Sequence, residues 1–69
     1  LNRFKLFRVL AELSQKQAAE KLGVKQVSVW QWEHGVTYPK AERLPEIAKL
    51  YGCSVGDFFE GGDPVRKKS

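Results

Sequence analysis

Apolar residues recur along this chain at intervals of three and four, the periodicity of one face of an α-helix. Nowhere do they alternate with polar ones over the length a half-buried strand requires. Phe4, Phe7 and Ala11 share one face of a helix predicted over 2–11, and Leu6, Leu10 and Leu13 widen that face. A second helix opens at Ser14, where Ser14 and Gln17 have the spacing of a reciprocal capping box, and closes at Gly23. Its inward face, Ala18, Ala19 and Leu22, is small enough for another helix to cross closely. A third helix, over 25–34, turns Val29 and Trp32 inward and Gln26, Ser28 and Gln31 away from them, and stops at Gly35.

Pro39 ends the next loop, and Leu44, Ile47, Ala48 and Tyr51 mark a fourth helix over 41–51. Pro45 is tolerated only near its first turn, because an interior proline costs about 3 kcal/mol, so the helix start is expected late. Gly52 closes it. Ser54 and Asp57 then resemble a second capping box, opening a short last helix that holds Val55, Phe58 and Phe59. The expected architecture is all-α, a compact five-helix domain over 1–60, followed by a Gly/Pro linker and basic tail over 61–69.

Composition narrows what such a domain can do. The chain has 69 residues, enough for one domain, and its 42% hydrophobic and 29% charged residues place it among folded globular chains. One cysteine, Cys53, excludes an internal disulfide, and one Cys with one His excludes a metal cluster, so no cofactor is expected and the core must carry the fold. His34, at a helix end, fits a terminal cation or an exposed ring, and Cys53 a small buried side chain between the last two helices. No apolar run approaches the roughly 20 residues that span a bilayer and no leader pattern is visible, which points to a reducing cytoplasm.

The net charge is +4, and its distribution says more. Residues 1–43 hold eight basic against four acidic side chains, residues 44–63 one against four, and Arg66, Lys67 and Lys68 restore positive charge at the tail. A basic front and an acidic back suit a module that presents one face to phosphate.

Two short helices joined by a tight glycine turn, the second polar on its outer side, form a helix-turn-helix by geometry. Leu13-Ser14-Gln15, Ala19, Leu22-Gly23-Val24, Val29, Trp32-Glu33-His34-Gly35 and Pro39 resemble the Cro/C1 phage-repressor type of helix-turn-helix regulator. The resemblance continues through Leu44, Ile47-Ala48, Gly52, Ser54-Val55 and Phe58-Phe59. It implies a lambda-repressor-like domain whose third helix lies in the major groove while the second crosses the backbone above it. It further implies that Gln26, Val27, Ser28 and Gln31 read base edges, Gln26 pairing with adenine and Val27 packing on a thymine methyl. Gln15, Lys25, Thr37, Tyr38 and Lys40 then contact phosphates, Gln15 through both its side chain and its backbone amide. Periodicity alone suits a solvated helix face as well as a base-reading one, and the resemblance is what favours the second.

Three departures from the family pattern stand out. Lys25 replaces the usual Ser or Thr cap of the third helix, Glu12 stands where glycine is common, and Trp30 occupies a site usually polar. Trp30 is placed to brush sugar and phosphate or to pack on a partner chain. Phe58 and Phe59 cannot both point the same way, so one belongs to the core and the other is free for a dimer contact. Leu6 and Leu10 are too apolar for an exposed flank and suggest a docking patch.

The expected function is sequence-specific binding of double-stranded DNA by a regulator, in the first place a repressor, acting as a homodimer on a near-palindromic operator. An antitoxin that also represses its own promoter, and a protein-interaction adaptor that no longer touches DNA, are the alternatives from other classes. A chain this short has little room for a ligand pocket, so sensing would require a further domain or protein partner joined through the tail. Nothing in it assembles the nucleophile, base and orienting group of an enzyme.

Overall fold

A computed structural model describes residues 2–59; the expected linker and tail over 61–69 lie outside the described residues. Four α-helices follow one another: α1 (Arg3–Leu10), α2 (Gln15–Leu22), α3 (Gln26–Glu33) and α4 (Leu44–Tyr51). Tight 3-10 turns flank α4, over Ala41–Arg43 before it and Val55–Phe58 after it, and no strand occurs among the described residues.

Each helix end has a local cause. Asn2 accepts from the Lys5 N–H at 3.1 Å, capping α1, and its amide nitrogen donates to the Trp32 carbonyl at 3.2 Å, tying that end to α3. At α2 the capping box forms as expected, Gln17 N–H to Ser14 Oγ at 2.9 Å and Ser14 N–H to Gln17 Oε1 at 2.8 Å. Gly23, in the left-handed region at φ 72°, lets the Val24 N–H reach the Ala19 carbonyl at 3.0 Å and turns the chain sharply into α3.

The expected fifth helix is corrected to a 3-10 turn. Asp57 N–H bonds the Ser54 carbonyl and Phe59 N–H the Gly56 carbonyl, both at 3.0 Å, and Phe59 is already extended. Four residues containing a glycine are too few to nucleate an α-helix. The predicted Ser54–Asp57 pairing is nonetheless present, the Ser54 N–H donating to the carboxylate at 2.9 Å and holding it below the usual carboxylate range. The fourth helix begins late, as Pro45 requires: the chain enters through the 3-10 turn and the proline sits in the first turn of α4.

The core is one cluster in which Ala18, Ala19 and Leu22 of α2 meet Val29 and Trp32 of α3, with Ile47, Ala48 and Tyr51 of α4 and Phe58 closing it. Phe4 stacks on Phe58 with centroids 4.6 Å apart, so the last turn is clamped to α1 by aromatic contact. On α1, Phe4 is buried and Phe7 packs against the core as expected, while Arg8 is buried beside them and Leu10, expected to widen that face, is 65% exposed with Val9 at 51%. Cys53 is half-buried, and burial pushes its thiol up.

Two features of the domain are strained, one on its surface and one in its core. Glu12, in the turn between α1 and α2, has φ 62°, a conformation that costs a residue with a Cβ free energy and glycine almost none. Glu12→Gly is expected to raise the unfolding free energy by roughly 0.5–1 kcal/mol net of glycine's greater unfolded-state entropy, seen as a higher midpoint in thermal denaturation. The Tyr51 hydroxyl is buried without a hydrogen-bond partner among the described residues, and burial, followed by the nearby Glu33 carboxylate, pushes its phenol up to about 12. An unfolded tyrosine ionises near 10, so this contribution is complete below about pH 10 and is lost as pH climbs toward 12. Tyr51→Phe should flatten stability against pH over that window and match or exceed the parent at neutral pH, both read by urea titration.

Candidate nucleic-acid interface

The helix-turn-helix formed by α2 and α3 is held from beneath by a pair of buried charges. Arg8 on α1 is 8% exposed and Glu33 at the end of α3 is 6%. The guanidinium meets the carboxylate at two points, Nε to Oε2 at 2.5 Å and Nη2 to Oε1 at 3.0 Å. A third donor, Nη1, reaches the Leu13 carbonyl at 2.7 Å, immediately before α2. The bond to Glu33 raises the Arg8 pKa further above its already high value, which holds the charge in place.

From this pair a chain of amides runs to the surface. Gln15, at the start of α2, donates from Nε2 to Glu33 Oε1 at 3.1 Å. Gln26, at the start of α3, donates from its Nε2 to Gln15 Oε1 across a long 3.5 Å. Each link leaves the next amide with a defined orientation. At the end of the chain, Gln26 is exposed, and one N–H and the carbonyl oxygen of its amide have no partner among the described residues.

Helical spacing turns Val27 and Gln31 to the side of α3 opposite Val29, Trp32 and Glu33, with Gln26 and Trp30 at one edge of that outer face. Gln26 and Val27 are exposed, whereas Ser28 and Gln31 are half-buried. Of the residues expected at phosphates, Lys25, Thr37, Tyr38 and Lys40 are all exposed. Lys25 stands at the N-cap of α3 without making a side-chain cap, and the Ser28 N–H of that first turn donates to the Lys25 carbonyl at 2.9 Å. Tyr38 also packs edge-on against Phe4 at 5.7 Å and lies 6.1 Å from Phe59, so it braces the loop. Gln15 is half-buried with its amide turned toward Glu33, which leaves its backbone N–H and its remaining side-chain proton for phosphate.

Phe58 is in the core, 3% exposed, and is not offered to a partner. Phe59 is half-buried. Among the described residues no cluster of His, Cys, Asp or Glu could hold a metal, and no helix is long and apolar enough to cross a membrane.

Reading apolar stripes missed Arg8 and Glu33. The signal was present: Arg8 continues the buried position of Phe4 four residues on, and Glu33 that of Val29. Two opposite charges on stripes that otherwise face inward call for each other.

Comparison with known proteins agrees with this geometry. The pattern of the helix-turn-helix family matches residues 4–58, and the chain belongs to that family, of the Cro/C1 type. That family consists of DNA-binding transcriptional regulators and is non-enzymatic. The chain is 34% identical over 58 residues to the uncharacterized HTH-type transcriptional regulator MJ0272 of Methanocaldococcus jannaschii, covering 84% of this chain and 88% of that one. It is 32% identical over 53 residues to the HTH-type transcriptional activator BcrR of Enterococcus faecalis, covering 77% of this chain but only 26% of BcrR. No solved structure matches the chain at a comparable level.

Removing one member of the buried pair leaves the other charge without a partner, at a cost of about 3–5 kcal/mol. Glu33→Leu is therefore expected to unfold most of the domain at 37 °C by circular dichroism. The double replacement Arg8→Met with Glu33→Leu should recover most of the stability. It should nevertheless bind DNA more weakly than the parent, because Gln15 has lost its anchor.

Proposed function

We propose that this domain binds a near-palindromic operator as a homodimer, with α3 in the major groove of each half-site, and represses transcription by occupying the promoter. The observation that carries the reading is the ordered chain from Arg8 and Glu33 through Gln15 to Gln26. Adenine presents an acceptor, N7, beside a donor, N6–H, in the major groove. The free N–H and carbonyl of Gln26 match that pair, and an amide already fixed by Gln15 loses little freedom on binding.

Val27 then packs on a thymine methyl beside the adenine, and Ser28 and Gln31 serve neighbouring bases. Phosphates on one side receive the N-terminus of α2 with Gln15; Lys25, Thr37, Tyr38 and Lys40 anchor the other flank. Phe59 is the ring available for the contact between protomers. BcrR is named an activator, but this chain spans about a quarter of its length, so its output is not carried over. Transcription from a promoter that overlaps the operator should fall on adding the domain; a rise would reassign it as an activator.

Selection from a randomised duplex pool at about physiological salt tests the reading. Enrichment of a near-palindrome is expected. Gln26→Ala should lose about 1–3 kcal/mol on the best site and relax preference at one position. Lys40→Ala should instead weaken all duplexes alike and reduce the salt slope by about one unit. Equal losses on every sequence for Gln26→Ala would remove the base-reading role, and failure to enrich any duplex would remove the operator.

A further inference from the structure

The outer face of α3 is more apolar than a base-reading helix requires. Val27 is 53% exposed and Trp30, three residues on, 43%. The indole is not free to move: its ring lies on that of His34 with centroids 3.9 Å apart and planes 18° from parallel. His34 is held in turn by Nδ1, 2.9 Å from the Trp30 carbonyl. A carbonyl only accepts, so Nδ1 carries the proton and donates. An exposed tryptophan fixed in this way has already lost the side-chain entropy that contact with a partner would otherwise cost.

We infer that Val27, Trp30 and His34 form a rigid apolar ridge that reads the 5-methyl groups of thymines in the major groove. The inference rests on the operator-binding reading and assigns Trp30 a role within it. The ridge lies on the outer face that also carries Gln26 and Gln31, so it faces what they face. The indole N–H and the imidazole Nε2 are its polar edges; the isopropyl group of Val27 and the face of the indole are apolar, and the feature of the major groove that suits them is the thymine methyl. From Val27 to His34 the helix rises about 10 Å at ~1.5 Å per residue, about three base steps at ~3.4 Å each. The half-site therefore carries, beside the adenine read by Gln26, thymines within about three successive base pairs.

Replacing thymine by uracil removes the methyl and leaves the pairing and the O4 acceptor unchanged, which isolates the contact. Each selected operator thymine is replaced singly, and binding of the intact chain is followed by fluorescence anisotropy. Loss of one buried methyl corresponds to about fourfold in affinity, expected at thymines that face the ridge. Trp30→Ala should bind the thymine and uracil duplexes equally at one such position, keep the adenine preference due to Gln26, and leave the thermal midpoint near that of the parent. Trp30→Phe should retain part of the discrimination, and His34→Ala, which frees the indole, should fall between.

Equal binding of thymine and uracil duplexes by the parent at every position, with the operator still preferred over scrambled DNA, would overturn the ridge and leave the operator reading standing. Equal weakening by Trp30→Ala on both duplexes would also overturn it, because the ring would then touch sugar and phosphate. A changed oligomeric state with unchanged base preference would give Trp30 to a protein contact instead. Absence of any preferred duplex would overturn both readings.

Discussion

Burying a guanidinium and a carboxylate inside a domain this small costs free energy that is recovered only when their donors and acceptors are matched. Arg8 and Glu33 meet that condition through two contacts with each other, one with the Leu13 carbonyl and one with Gln15. These bonds join α1, the start of α2 and the end of α3 at a single point. An apolar substitute could fill the space, but it would fix neither the direction of the Gln15 amide nor, through it, that of Gln26. The pair thus links the packing of the domain to the surface that meets DNA.

Around that point the remaining contacts divide the work. Small residues on α2 let α3 lie close, and Gly23 supplies the left-handed turn that brings the two helices into their crossing. Asn2 bridges α1 to the Trp32 carbonyl, while Phe4 stacked on Phe58 holds the last turn in place without the length of a helix. Not every position is relaxed: Glu12 in the left-handed region and the unpartnered Tyr51 hydroxyl are retained strain. Lys25 without a cap bond is a different case, because the proposed interface places a phosphate at that helix end.

The proposed recognition combines two chemistries. Gln26 offers a donor and an acceptor whose orientation is set from inside the protein, and the Trp30–His34 stack offers an apolar wall whose orientation is set on the surface itself. Both are arranged in the free domain, so under this proposal little of the binding free energy goes into ordering them. Lys25 and Lys40 are exposed, and in the proposed complex they position this surface without choosing a sequence.

Much of this was written in the order of residues. The three- and four-residue spacing announced all four α-helices, Ser14 with Gln17 and the glycines at 23 and 52 announced their ends, and the quoted run from Leu13 to Phe59 announced the family. These are local properties, in which each signal and its consequence lie within a turn or two of one another. What depended on the tertiary structure was whatever joins distant parts of the chain. Arg8 and Glu33 are twenty-five positions apart and Gln15 and Gln26 eleven, so no periodicity relates them until the helices cross. Phe58 rather than Phe59 entered the core because it is the ring that stacks on Phe4, a contact between the two ends of the domain. Spacing selects which faces are apolar; only packing decides which side chains those faces meet.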